Sequence, residues 1–402
     1  MNKKFHNYLL CLVIAFSNLI YSQIRAEECS DQKYSSGEHK QLGDSGFLKA
    51  CLKSNMMSNC AQHSLPRQNM TFSYTYGDVV ALGDFFATPA RAYRNNVNIN
   101  ISNKLFRCIT KQGRIQYTQK THPEVQYPTC TWAIALASPK YLKLASTNED
   151  HFAWGNVVAY VKYHEMALDF AIEAHAKQDL ALFNKALFYG GFADHFLTDS
   201  FAAGHVRVPR KEILTWTRNN IHYPFRHFIS DALAMILHDH DGKNKAGEEI
   251  GLLVHNSRGD EWLTHSDQEL NTCRPNTDIS IRLPIEAVEN SVTEIFEAYR
   301  SGVKPTAEFK ALQYVPMPVN DLPLEEFQLT SSKSQNRKMV RKLEHSLPLP
   351  LRWILPRSVL KRMIIMLPEI RRQFGLHNAV QLEADPLLQL RVPKKYINAY
   401  TN

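Results

Sequence analysis

The stretch Ala193-Asp-His-Phe-Leu-Thr-Asp-Ser-Phe-Ala-Ala-Gly-His-Val-Arg207 decides how this chain is read. His195, Asp199 and His205 stand four and then six residues apart. Positions i and i+4 of a helix share a face. His195 and Asp199 therefore point the same way, one turn apart, as two ligands of one cation must. Gly204 offers a place for the helix to end or bend, which would turn His205 toward the same cavity. Imidazole nitrogen with carboxylate oxygen is a normal zinc set. A single His–Asp pair on a helix is common without a metal, so the flanking sequence has to decide.

Around this stretch the helical signal is strong. Val157, Val158, Val161, Met166, Leu168 and Ile172 keep a helical period that predicts a helix over residues 151–176. A second is expected over 179–199, with Leu182, Ala186, Leu187, Ala193 and Phe196 as its apolar face, and further helices over 209–217, 225–238 and 285–299. The helix at 225–238 carries His227 and Asp231, again four apart, and runs into His238-Asp-His-Asp-Gly242, a turn with its own metal-like composition. Two His-x3-Asp pairs, with further histidines at 39, 151 and 205, favour metal binding over a merely polar helix face.

Upstream, His39 sits in a polar segment read as turn-rich. Asp78 and Asp84 each follow a glycine, and helix capping is the expected role of Asp78. Residues 96–140 alternate in places, as in Ile115-Gln-Tyr-Thr-Gln, and read as a β-hairpin or irregular lobe. The expected fold is therefore mainly α: a multi-helix domain over 27–330 with a β-like insertion at 96–140.

Met1 to Ala26 has the form of a secretory signal: Lys3 and Lys4, an apolar run from Tyr8 to Ile20, then small residues at Ser22 and Ala26. A secreted or periplasmic protein is expected. Cys11 would leave with the signal; Cys29, Cys51, Cys60, Cys108, Cys130 and Cys273 remain, an even number that suits disulfides in an exported chain. Neighbourhood makes Cys51–Cys60 and Cys108–Cys130 attractive pairs. No CxxC pair points to a cysteine-rich zinc site.

Residues 331–402 form a basic C-terminal extension with 14 Lys and Arg against 4 Asp and Glu, a net charge of +10 in a chain whose total is +8. Large apolar residues from Trp353 to Leu367 interleave with Arg357, Lys361 and Arg362. Such a segment suits an anionic membrane surface or, alternatively, a helical extension packed on the core with its cations in solvent. The remainder of the chain is near neutral, which argues against nucleic acid as the partner. No protein partner is inferred.

The ligand spacing resembles that of the zinc-dependent phospholipase C and S1-P1 nuclease family, whose signature is His-x3-Asp-x5-His followed by His-x3-Asp or His-x3-Glu on a later helix. His195, Asp199 and His205 match the first part and His227 and Asp231 the second. Asp84-Phe85 matches an Asp before an aromatic, His151-Phe152 a His-Phe pair opening a helix, and His39 the ligand near the mature N-terminus. The wording Gly-Glu-His-Lys-Gln-Leu-Gly-Asp and Asp-His-Phe-Leu-Thr-Asp-Ser-Phe-Ala-Ala-Gly-His is most similar to the exported bacterial phospholipase C branch. The resemblance covers about residues 35–300.

It implies two to three zinc ions: one held by Asp84, His151, His195 and Asp199, a second by His205, His227 and Asp231, and a third by His39 and Asp199 with the amino terminus. The family's N-terminal Trp has no counterpart before His39, and the gap from Asp84 to His151 is longer than in compact members. The implied reaction is hydrolysis of the glycerol-side phosphodiester bond of a phospholipid such as phosphatidylcholine. Asp84 would orient or deprotonate the attacking water, and Phe85 would either face a choline headgroup or pack as an ordinary core residue. The alternatives are a P1-like single-strand nuclease and a non-catalytic, zinc-containing lipid-binding protein.

Overall fold

A computed structural model describes residues 36–56, 60, 65, 74–94, 104, 107–109, 111, 149–221, 226–241, 250–265, 277–319, 332–346, 357–362, 365 and 380–401. The described chain is mainly helical with one small antiparallel sheet. Its centre is a pair of long helices, α4 (Trp154–Lys177) and α5 (Leu180–Asp199). Asp179 caps α5 by accepting from the backbone of Ala181 and Leu182, which fixes a tight reversal between the two. Along α5 every residue from Ala186 to Asp199 is buried, so its ligand-bearing end lies inside the molecule.

Against this pair pack α1 (Ser36–Ser54), α2 (Tyr76–Val80) and α9 (Thr277–Ser301). The segment around His39 is thus a buried helix and not the turn-rich stretch expected from its Ser and Gly content. Its glycines allow close packing: a Cβ at Gly46 would stand 2.5 Å from the Val288 side chain of α9. Lys40 anchors α1 to α2 by reaching Asp44 at 3.0 Å, Asp78 at 2.9 Å and Thr75 at 2.6 Å. Asp78 forms a capping box with Thr75 at the start of α2, the role expected of it.

Short elements follow: α3 (Pro89–Arg94), α6 (Ala203–Val206), α7 (Arg210–Asn220) and α8 (Arg226–His240). The sheet has the order β2-β1-β3, from β1 (Leu252–His255), β2 (Glu261–Thr264) and β3 (Met317–Pro318). Asn256 closes the β1–β2 hairpin by accepting from the backbone of Arg258 and Asp260. These strands lie far from the expected β-like insertion. Of residues 96–140 only 104, 107–109 and 111 are described, and they are helical; the rest of that expectation lies outside the described residues. Cys51–Cys60 is a disulfide, and Cys108 is also disulfide-bonded, its partner outside the described residues, as are residues 1–35. No helix among the described residues is long and apolar enough to cross a membrane.

The C-terminal extension is not one surface appendage. It includes α10 (Lys333–Ser346), but its end, α11 (Val380–Ala384), α12 (Pro386–Arg391) and α13 (Lys394–Thr401), joins the main core through Leu382, Leu388, Val392, Tyr396 and Tyr400. Arg391 is buried, donating to Glu165 at 2.5 Å and to the carbonyls of Pro305 and Ala307. The Tyr400 hydroxyl donates to Val206 O at 2.8 Å, next to His205. Removing one partner of a buried ion pair is costly, so Arg391→Met is expected to lower unfolding free energy by about 3 kcal/mol in urea titration; an unchanged midpoint would place the C-terminus outside the cooperative unit.

Behind the ligand face of α5 runs a second polar chain. Asp194 accepts from Tyr76 at 2.7 Å and Ser291 at 2.6 Å, Ser291 faces His164 Nδ1 at 3.3 Å, and His164 Nε2 meets Glu294 at 3.1 Å. Burial pushes the Asp194 carboxyl from 3.8 up to about 8, against the hydrogen bonds of Ser291 and Tyr76. Folded Asp194 therefore keeps a proton that the unfolded chain releases, and its contribution makes stability fall as pH rises across that window. Asp194→Asn is expected to flatten this part of the profile in urea titrations at pH 5 and pH 8; an identical slope in both proteins would refute the assignment.

Candidate metal centre

Four segments meet at the buried end of α5. His195 and Asp199 come from α5 itself, His39 from α1, Asp84 from the 3₁₀ turn Gly83–Phe85, and His151 from the 3₁₀ turn Glu149–His151. Asp199 is shared by three imidazoles: His151 Nδ1 lies 2.7 Å and His195 Nε2 3.3 Å from Oδ2, and His39 Nε2 lies 3.2 Å from Oδ1. His195 Nε2 is also 3.1 Å from His151 Nδ1 and 3.7 Å from Asp84 Oδ1. Among the described residues two groups bring their ligand atoms within 4.8 Å of one another and could hold a metal ion, His39/Asp84/His195 and His151/His195/Asp199.

The local sequence explains the convergence. A Cβ at Gly83 would stand 2.1 Å from the His195 ring, so only glycine lets the Asp84 turn lie directly on that imidazole. Ala153 has φ +49°, a conformation rare for a residue with a side chain. It is held by a reciprocal pair: Ala153 N–H donates to His205 O at 2.7 Å, and His205 Nδ1–H donates to His151 O at 2.5 Å. The same brace orients His151 and leaves Nε2 of His205 as its lone-pair nitrogen.

α5 ends at Asp199, and α6 restarts at Ala203, so the break falls at residues 200–202 and Gly204 lies inside α6. The hairpin captures the backbone there: Thr264 donates to Phe201 O, and Ala203 N–H donates to His265 O at 2.9 Å.

The residues present fit a bound cation, as the protonation of His39 shows. The Thr198 hydroxyl donates to the carbonyls of Asp194 and His195, at 2.8 and 2.9 Å, so toward His39 it accepts. His39 Nδ1, 2.7 Å away, is then the protonated nitrogen, and Nε2 turns a lone pair toward Asp199. Two acceptors face each other at 3.2 Å, an arrangement that a metal ion between or beside them satisfies. Zinc–nitrogen bonds of about 2.0–2.1 Å at tetrahedral angles separate neighbouring ligand atoms by about 3.3 Å, close to the spacing around His195 Nε2.

The electrostatics agree with this arrangement. Burial holds His195 well below the usual imidazole range despite the Asp199 carboxylate, and neighbouring histidines reinforce the shift. His195 is thus neutral, as a ligand must be. Burial would raise Asp199, but the imidazole cluster around it, with a hydrogen bond from His151, holds it well below the usual carboxylate range. Asp84, one-third exposed at the rim, is raised, first by partial burial and then by the Asp199 charge.

His205 stacks flat on Phe152, ring centres 4.6 Å apart, with the His238 ring 5.2 Å away. Asp231 accepts from Arg210 and belongs to neither ligand grouping of the described residues. His227 lies in α8, its side chain outside the described residues. Asp241 is buried and accepts from Arg207 at 2.7 Å. Phe85 is partly buried against Ala81 and Ile109, the ordinary packing role. His238, which the sequence offered within the metal-like run at 238–241, lies at the end of α8 and is the ring neighbour of His205.

Comparison of the chain with protein-family models, curated proteins and solved structures gives no match. Gly83→Ala tests the close approach of the Asp84 turn. The variant is expected to bind zinc at least about tenfold more weakly in chelator competition, the scale seen when support around metal ligands is lost; unchanged affinity would show that the turn does not set the ligand geometry.

Proposed function

We propose that this protein is an exported, zinc-dependent phosphodiesterase of the phospholipase C type. The observation that carries the reading is the convergence of His39, Asp84, His151, His195 and Asp199 on one buried cluster, with Asp199 shared among three imidazoles. The signal-like start and the disulfides support export. The residues that would hold zinc are these five, with His205 at the edge of the same cluster.

Zinc held there would supply positive charge to phosphodiester oxygens and lower the pKa of a bound water toward about 7. The protein's own groups have distinct parts. Asp199 stays ionised and offers both oxygens. His195 stays neutral and keeps Nε2 for coordination. Asp84, at the exposed rim with a raised carboxyl, is placed to take a proton from the attacking water and return it to the leaving oxygen. Attack at phosphorus breaks the bond to the glycerol oxygen, which leaves protonated as diacylglycerol, and the headgroup leaves as its phosphate ester.

The test is to assay zinc-loaded protein on phosphatidylcholine and on single-stranded DNA. Diacylglycerol release that chelation stops and zinc restores is expected. Asp199→Asn should reduce that turnover by at least about a thousandfold in protein that still folds, since the change touches three of the other ligands. Cleavage of DNA alone would establish the nuclease reading, and no turnover of either at full zinc content would leave a non-catalytic zinc protein.

A further inference from the structure

We propose that the exposed face formed by α10 and the helical residues 357–362 docks on an anionic lipid bilayer. This goes beyond the phosphodiesterase reading and does not depend on it. Lys333, Arg337, Lys338 and Arg341 on α10, and Arg357, Lys361 and Arg362 on the second segment, are all exposed. Lys333, Arg337 and Arg341 repeat every four residues and so form one stripe. Glu344 is the one acid among residues 332–346 and 357–362, and it pairs with Arg357 at 3.6 Å, joining the two segments. Val340 and Leu360 are buried at 4% and 1% exposure, so the apolar sides face inward and the cations outward.

The segment is bounded by packed structure on both sides. The chain leaves the sheet at Val319, whose N–H donates to Leu253 O at 3.3 Å, and rejoins the core at Leu382. The cations therefore lie on a segment anchored at both ends and not on a free end. A bilayer is favoured over single-stranded nucleic acid by two observations. Residues 332–346 and 357–362 contain no Phe, Tyr or Trp on which a base could stack. Ile365 is 58% exposed beside the cations, and the neighbouring sequence holds Trp353, Ile354, Leu355, Ile364, Met366 and Leu367, the composition of an interfacial segment. Each Lys or Arg near an anionic surface raises partitioning about fivefold.

The experiment is co-flotation of the full-length protein with vesicles of phosphatidylcholine containing about 30% phosphatidylserine, against pure phosphatidylcholine, at about 0.1 M salt. The wild type is expected to float with the anionic vesicles only, and to be released at about 1 M salt. The combined variant Lys333→Gln/Arg337→Gln/Lys338→Gln/Arg341→Gln should lose at least about tenfold in partitioning, and Lys361→Gln/Arg362→Gln about fivefold or more. Both should keep the wild-type melting temperature and any turnover of a soluble short-chain phospholipid. Should the fourfold variant fail to fold, the double variant decides. Wild-type flotation of the variants, flotation that salt does not weaken, or preferential retention by single-stranded DNA would overturn the proposal. Vesicle binding without any hydrolysis would sink the phosphodiesterase reading and leave this one standing.

Discussion

The structure depends on one carboxylate. Asp199 is buried, and both its oxygens face imidazoles, His151 and His195 on one side and His39 on the other. A buried carboxylate is costly unless ionic or hydrogen-bonded partners offset its lost hydration. Here the groups that face it come from α1, from α5 and from the turn before α4, and because His39 and His195 turn lone pairs toward it, a bound cation would offset the charge and tie three parts of the chain together. The remaining polar demand is met locally: Thr198 takes the His39 proton side, and the His205–Ala153 brace takes the His151 backbone.

The features that hold this centre lie away from it. Asp194, on the opposite face of α5, ties that helix to α2 and α9 through Tyr76 and Ser291. The hairpin grips residues 201–203, and Tyr400 grips Val206. The path from α5 to His205 is thereby held by two distant segments of chain. This makes the C-terminal end of the molecule a support for the segment that carries His205, although its sequence is basic.

The His195/Asp199 pair and the helices around it were legible because helical period and ligand spacing are local properties. Helices expected over 151–176, 179–199, 209–217, 225–238 and 285–299 correspond to α4, α5, α7, α8 and the latter part of α9. What was not legible depends on distant partners. The glycines of α1 read as turn residues, but they serve close packing against α2 and α9. Asp231 matched a ligand spacing, and its contact with Arg210, 21 residues upstream, is one that spacing does not show. The hairpin at 252–264 is too short for period to declare it, and half of its side chains face solvent. In the C-terminal segment, net charge pointed to the surface while a few apolar residues, Leu382, Leu388, Tyr396 and Tyr400, carried its end into the core.

The central claim is that a metal ion holds this cluster together. Anomalous diffraction at the zinc edge, on crystals of protein prepared with zinc, tests it most directly. The account predicts a zinc peak about 2.0–2.2 Å from His195 Nε2 and from an Asp199 oxygen, beside His151 and Asp84, with one coordination position open to water. Zinc absent from this position, with His151 still bonded directly to Asp199, would contradict it.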